Sequence, residues 1–449
     1  MATLFSSRSI GSALLAGAVL PSTAFSRTVE RFFPGPAQGD TIGISQSPNG
    51  ETLILVSNDG SLTNGSEGLV LVDRATRATK LIPAKNVRGR PVVTDDRKVA
   101  WIEENDDASF RVMLANGNEA TPAAVVVQNN AGIVETGEDF SNQLAICRRH
   151  EGAGNAETTI YYNAKRGIYC SVWATTIPDN GGSPVSECIS GTTTEGNCGG
   201  VASASDGSFL VYLQGRTSTD GAQLMFKEGN GAPHPLTPTT TAAQGEFYRY
   251  VTVSGDNKKI AFLTTLSPNG SPTADRSFNI GIIDVSNGTQ NPGTLKILEV
   301  PGGAINGFDN FSTDISGRYV SVASYDLGGL MRADTTATGP SAFIPLDVAP
   351  YPNVVIEGAT SAVLLPGGNG ADFCTARTGT SNNYIQLEEC RLDERRYGDM
   401  NNDGDITIED ALNALKVSGG LLPFLENTGW SIDVKFATEV LRLSVKSEW

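Results

Sequence analysis

Between residues 40 and 390 one short unit keeps returning: a turn rich in Ser, Asp, Asn and Gly leads into a strand-like apolar stretch, and a second stretch follows beyond a polar loop. The copies begin Ser47-Pro-Asn-Gly50, Thr94-Asp-Asp-Arg97, Thr136-Gly-Glu-Asp139, Ser205-Asp-Gly207, Ser254-Gly-Asp-Asn257 and Ser316-Gly317, with a degenerate seventh at Gly358-Ala-Thr-Ser361. Measured between the strand residues Leu53, Val99, Leu144, Leu210, Ile260, Val320 and Val363, the spacings are 46, 45, 66, 50, 60 and 43 residues. A few strands per repeat cannot bury both faces of a small sheet, so neighbouring repeats must cover one another. Periods of this size then predict an all-β ring of radially packed sheets, a β-propeller. Seven repeats predict seven blades, with six to eight compatible with the spacings. The long spacing between the third and fourth copies predicts an excursion from the ring near residues 165–200, and long loops on a rigid scaffold are where binding is built.

The turn-and-strand copies resemble the Ser-Pro-Asp-Gly-Lys-Ile-Ala-Phe repeats of TolB-like propellers, most closely at Ser47 to Gly50 and Ser254 to Phe262. That resemblance implies an architecture and no activity. Asp and Asn side chains in such turns bond their own backbone, so none of them is by itself a candidate ligand.

A second signal lies beyond Cys390. Asp399, Asn401, Asp403 and Asp410 fall at positions 1, 3, 5 and 12 of a calcium loop. Gly404 stands where the chain must turn sharply, and Asp405 and Thr407 complete the oxygen set. Acidic groups so close together repel unless a hard cation sits among them, so Ca²⁺ is the expected cofactor. Thr407 is the expected N-cap of a helix in which Ile408, Leu412 and Leu415 share an apolar face, and Gly419-Gly420 ends it. A second amphipathic helix is expected from Asp433 to Val445, with Ala437, Leu441 and Val445 on one face. Gly398 to Leu415 resembles the first repeat of a dockerin, the calcium module that plugs secreted proteins into cohesin-bearing partners. The second repeat departs from that pattern: Thr428 to Phe436 carries no ligand-bearing loop. The resemblance therefore implies one calcium ion, and a cohesin-like partner, the chain's own propeller or a neighbouring subunit as what the module attaches to.

The N-terminus reads as a signal peptide, residues 1–26. Arg8 precedes the apolar run Ile10 to Leu20, and small residues at Pro21 to Ser26 suit cleavage after Ala24 or Ser26. Eleven apolar residues are too few to span a bilayer. The expected location is secreted, extracellular or cell surface, with no transmembrane span. The remaining domains are a propeller over 27–392 and a calcium module over 393–449. Six cysteines in an exported chain point to disulfides, and sequence neighbours suggest Cys147 with Cys170, Cys188 with Cys198 and Cys374 with Cys390.

Thirty-three basic against 49 acidic residues, a net charge of −16, disfavour nucleic acid and anionic membranes as partners. Only two histidines, His150 and His234, are present, and neither a Gly-x-Ser-x-Gly elbow nor a phosphate-cradling loop is visible. The catalytic residues are unknown, and a binding or assembly protein is the preferred reading. The alternative is a secreted carbohydrate-active enzyme of glycoside hydrolase type, because that chemistry needs only two carboxylates across a cleft. A carbohydrate is accordingly a candidate ligand under either reading.

Overall fold

The structure is a computed structural model. It describes residues 26–31, 41–57, 67–131 except 108, 144–150, 156–166, 169–190, 199–214, 223–237, 248–286 except 272 and 274–277, 295–300, 308–324, 329–337, 343–345, 356–365, 372–379, 384–393, 408–418, 437–438 and 441. The chain divides into a unit spanning Arg27–Asp393 and a second that includes Glu394–Trp449.

The first unit is all β and forms a β-propeller arrangement of four-stranded antiparallel sheets. Strand β1 (Ser26–Arg31) belongs to the last sheet of the ring. The first sheet is β2 (Thr41–Gln46), β3 (Thr52–Ser57), β4 (Gly68–Asp73) and β5 (Thr79–Pro83), and the second is β6 (Val87–Val93), β7 (Lys98–Glu104), β8 (Phe110–Asn116) and β9 (Val125–Ala131). The third is β10 (Leu144–His150), β11 (Ala156–Arg166), β12 (Tyr169–Pro178) and β13 (Val185–Cys188). The fourth is β14 (Gly199–Ser203), β15 (Phe209–Gln214), β16 (Gln223–Glu228) and β17 (His234–Pro235). The fifth is β18 (Tyr248–Val253), β19 (Lys259–Thr264), β20 (Asn279–Asp284) and β21 (Lys296–Leu298), and the sixth is β22 (Phe308–Thr313), β23 (Tyr319–Ser324), β24 (Gly329–Asp334) and β25 (Phe343–Pro345). These six sheets each use four consecutive strands. The last sheet joins the two ends of the unit: β26 (Ile356–Leu365), β27 (Asp372–Gly379) and β28 (Tyr384–Asp393) are completed by β1 in the order β1-β28-β27-β26.

The first strand of each sheet meets the first strand of the next, from β2 to β6, β10, β14, β18, β22 and β26, and β26 meets β2. The ring of sheets therefore closes, with the first strands innermost. Both faces of each sheet are covered, so its strands read as continuous apolar runs; β3 is buried along its whole length. Strand alternation then deals residues to the two neighbours in turn. In the second sheet Val99, Trp101, Met113 and Ala115 pack with Ile54 and Leu69 of the first, whereas Ala100, Ile102, Val112 and Leu114 pack with Ile160 and Tyr162 of the third. Each fully buried aliphatic or aromatic side chain contributes about 1.5–3 kcal/mol.

Three sequence expectations are corrected by this architecture. Residues 165–166, 169–178 and 185–188 do not leave the ring but lie in β11, β12 and β13 of the third sheet, and the long spacing arises because Leu144 lies on the first strand of its sheet whereas Leu210 lies on the second. The expected Cys147–Cys170 bridge is absent, since Cys147 carries a thiol. Register explains why. Cys147 lies opposite Thr159, which lies opposite Thr176, so Cys170 is two strands across and six residues along β12. That is roughly 20 Å of strand, far beyond what a disulfide spans. The Cys188–Cys198 bridge is also absent, Cys188 carrying a thiol; it sits opposite Trp173 at the end of β13, while Cys198 lies outside the described residues. Cys374 and Cys390 fall on the adjacent strands β27 and β28, and their side chains lie outside the described residues.

In the second unit, helix α1 (Ile408–Ser418) has Ile408 as its first described residue and Ser418 as its last, and Gly419 and Gly420 lie outside the described residues. The expected apolar face is not the buried one. Ala411 and Ala414 are buried, while Ile408, Leu412 and Leu415 are 49%, 50% and 44% exposed. The interior side of α1 is made by alanines three residues apart, small enough for a close approach, and the large side chains are turned outward. Ala437, Thr438 and Leu441 are helical. Ala437 is buried and Leu441 is 43% exposed, so these two do not share one buried face.

Candidate functional site: the axial cavity

The repeated turns build the floor of the site. Five of them are described, and each of these joins a first strand to a second strand and closes in the same way. Ser254 N–H donates to the Lys259 carbonyl (2.9 Å), Asn257 N–H to the Ser254 carbonyl (2.9 Å), and Lys259 N–H to Ser254 Oγ (2.9 Å). Equivalent bonds close the turns at Ser47, Thr94, Ala204 and Asp314. Gly50, Arg97, Gly207, Asn257 and Gly317 occupy the left-handed conformation that the turn requires. Ser47, Ser254 and Asp314 are satisfied within their own turns, as the sequence implied, whereas Asp95 and Asn257 turn their side chains to neighbouring turns.

The turns are also tied to one another. Asn49 N–H donates to Asp95 Oδ1 (2.9 Å), joining the first and second sheets, and Arg148 Nε pairs with Asp96 Oδ2 (2.8 Å), joining the second and third. Arg148 N–H reaches the Ser205 carbonyl (2.9 Å), Ser205 N–H reaches Asn257 Oδ1 (2.8 Å), and Asp256 N–H reaches the Ile315 carbonyl (2.8 Å). A girdle of bonds therefore runs from the first sheet to the sixth. At the axis the turns converge: a Cβ on Gly255 would lie 2.1 Å from the Pro48 carbonyl oxygen and 3.2 Å from Ile315 Cα.

Above this floor the first strands are bulged. Register shifts interrupt the pairing of β2, β6, β14, β18, β22 and β26 with their neighbours. In β6, Gly89, Arg90 and Pro91 together face the single residue Trp101. Gly89 has φ 70° and Pro91 has no N–H to leave unpaired, which makes this tripeptide suited to a bulge. In β18, Tyr250 and Val251 face Phe262, and Tyr250 has φ 50°. These bulges open a cavity of about 180 Å³ lined by the inner strands of six sheets, among them Ser45, Arg90, Ser203, Thr252, Thr313 and Asp314. Burial draws the Arg90 guanidinium down to about 10, and Tyr250 on the fifth sheet is near enough to act on it electrostatically. Burial likewise raises the Asp314 carboxyl, against hydrogen bonds from Tyr319 N–H and Ser316.

That shift has a testable sign. A carboxyl whose folded pKa is raised adds stability below its unfolded value, about 3.9, and loses it as pH rises through the folded value. Asp314→Asn cannot ionise and still accepts from Tyr319 N–H. Its melting temperature is expected to exceed that of the wild type at pH 7, with the difference shrinking toward pH 4 in parallel thermal scans.

No protein-family model matches the chain, and no curated protein matches it. Among solved structures, the β-propeller domain of Myceliophteria thermophila Cps50 (Swd1) aligns at TM-score 0.50 and 9% identity, over 80% of this chain and 99% of that one. The likeness is one of fold, the β-propeller. Kuenenia stuttgartiensis hydrazine synthase aligns at TM-score 0.46 and 17% identity, over 79% of this chain and 95% of that one. A putative TolB from Agrobacterium tumefaciens aligns at TM-score 0.38 and 13% identity, over 61% of this chain and 88% of that one.

Among the residues singled out from sequence, His234 forms part of β17 and lies against the Phe226 ring, centroids 5.5 Å apart. His150 ends β10 opposite Ala156. Asp399, Asn401, Asp403, Asp405 and Thr407 lie outside the described residues, and Asp410 is the third residue of α1. The cavity residues were not found from sequence. The available signal was Gly89-Arg90-Pro91 inside an otherwise strand-like run.

Proposed function

We propose that this chain is an exported seven-bladed propeller, latched by β1, that binds or assembles with a protein partner and attaches to it through a calcium-stabilised, dockerin-like C-terminal module. The observation that carries the reading is the outward face of α1. Of the seven exposed large apolar side chains among the described residues, Ile408, Leu412 and Leu415 line one helix face, and Leu441 belongs to the same unit. Large apolar groups gathered on a small helical unit mark a surface that another molecule covers. In this reading Asp399, Asn401, Asp403, Asp405, Thr407 and Asp410 hold one Ca²⁺. The presence of α1 from Ile408, two residues before Asp410, fits that ligand set. The ion would neutralise the clustered carboxylates and fix the N-terminus of α1. Two short helices bury too little to hold themselves together, so the metal would supply much of the unit's stability.

Asp403→Ala is expected to reduce bound calcium from one ion per chain to none and to expose residues after 394 to protease. Leu412→Asp is expected to keep the calcium and abolish capture by a panel of cohesin domains and by the chain itself, read by calorimetry and sedimentation. Unchanged calcium in Asp403→Ala overturns the metal site. Undiminished capture in Leu412→Asp overturns the docking face.

A further inference from the structure

We propose that the axial cavity is a binding site for a small carboxylate that also carries a hydroxyl or N–H donor, its carboxylate held by Arg90. The inference rests on reading the propeller as a binding element, and it is independent of how the C-terminal unit attaches.

Three features define the ligand. The first is charge. Among the described lining residues, Arg90 is the one cation and Asp314 the one anion. A single guanidinium matches a singly charged carboxylate in a bidentate pair better than it matches a phosphate dianion. A guanidinium has five donors, so it can serve a protein neighbour and a ligand together. The bulge at Gly89 to Pro91 holds its backbone at the cavity wall.

The second feature is the state of the wall hydroxyls. Thr313 Oγ1 donates its proton to the Val253 carbonyl (3.3 Å) and Ser203 Oγ to the Ile146 carbonyl (3.4 Å). Both residues line the cavity, and with their protons so committed their oxygens are left to accept; Asp314, whose carboxylate also accepts from Tyr319 N–H and Ser316 Oγ, adds a further acceptor at the floor. Acceptors call for a ligand that brings donors of its own, which an alkyl acid such as acetate lacks. The third feature is size. At ~30 Å³ per water in the liquid, the cavity of about 180 Å³ holds roughly six waters, and the crossing of the turns at Gly255 and Pro48 limits depth at that end. A ligand of a few carbons, or one acidic residue presented by a partner, fits this space.

The test is titration calorimetry on the full chain with glycolate, lactate and gluconate, against acetate, lactamide and glycerol. A short peptide ending in Ser-Asp provides the macromolecular source. At least one hydroxy acid, or the peptide, is expected to bind tenfold or more tightly than acetate and the neutral compounds. Arg90→Gln and Arg90→Lys, checked for fold by circular dichroism, are expected to lose that binding by tenfold or more. Binding by the peptide alone supports the site and assigns it to a partner's acidic group. The proposal is overturned if the neutral compounds bind as well as the acids, if nothing binds to the wild type at millimolar concentration, or if folded Arg90→Gln binds undiminished. Because Leu412→Asp leaves the cavity intact, failure here and failure of the docking face are separate results.

Discussion

Replacing Glu103 with alanine is expected to cost the propeller about 3 kcal/mol, at the lower end of the range for breaking a buried ion pair. Glu103 is 3% exposed, at the interface of the first and second sheets. Its Oε1 accepts from Trp101 Nε1 (2.9 Å) and from Lys85 N–H (3.3 Å), and its Oε2 accepts from Arg111 Nε (3.0 Å) and Nη2 (2.6 Å). Trp101 is fully buried, so the substitution leaves an indole N–H without an acceptor as well as an uncompensated guanidinium. Arg111 is 26% exposed and can recover some hydration, which is why the lower end applies. Urea denaturation of Glu103→Ala checks the magnitude. The double variant Glu103→Leu with Arg111→Met is expected to lose less than Glu103→Ala alone, because it removes the charge together with its partner. A double variant that is additive or worse would show that the carboxylate's value lies in packing.

The second large effect is expected at Gly255, through a different cause. Its backbone is not in the left-handed region, so an added side chain meets no torsional penalty. It meets Pro48 instead, where both nearby atoms are backbone and cannot swing aside. Gly255→Val must push the fifth turn away from the first and strain the bond from Asp256 N–H to the Ile315 carbonyl. Overpacking of this kind costs about 1–3 kcal/mol. The loss should appear both as a lower denaturation midpoint and as faster hydrogen exchange at the amides of Asp256 and Gly50. A midpoint within error of the wild type would mean that the turns do not meet at the axis.

Both sites illustrate what the sequence made visible and what it concealed. The turns were legible because their chemistry is local: Ser254, Asp256 and Asn257 satisfy bonds within five residues, so their pattern survives in one dimension. The strands after them were legible for the same reason, and Leu53, Val99, Leu210, Ile260 and Val320 all fall on the second strands of their sheets. The third copy slipped by one strand. The sequence between β10 and β11, Glu151-Gly-Ala-Gly-Asn155, lacks the Ser-x-Asp signature, so the repeat matches at Leu144 on the innermost β10 instead. The last copy slipped likewise, Val363 lying on β26. Glu103 and Arg90 were concealed because each depends on what lies across a sheet or across the axis. In a run such as Trp101-Ile-Glu-Glu104, nothing local separates a buried carboxylate from a solvated one. The proposed calcium residues are legible as a motif because such a loop ties ligand type to spacing, whereas the exposure of Leu412 depends on packing that no spacing encodes.

The strand order β1-β28-β27-β26 carries a consequence for how the molecule comes into being. The last sheet lacks its outer strand until residues from the two ends of the unit have met, so the ring cannot be finished before β28, the last strand of the unit, has been made. Every other sheet can assemble from consecutive strands as they emerge, and only this seam waits on a long-range encounter, the slowest kind of contact to form. Opening should follow the reverse course, with the seam parting first and the six consecutive sheets holding longer. The circular architecture thus has a beginning and an end in time, and both lie where Ser26–Arg31 meets Tyr384–Asp393.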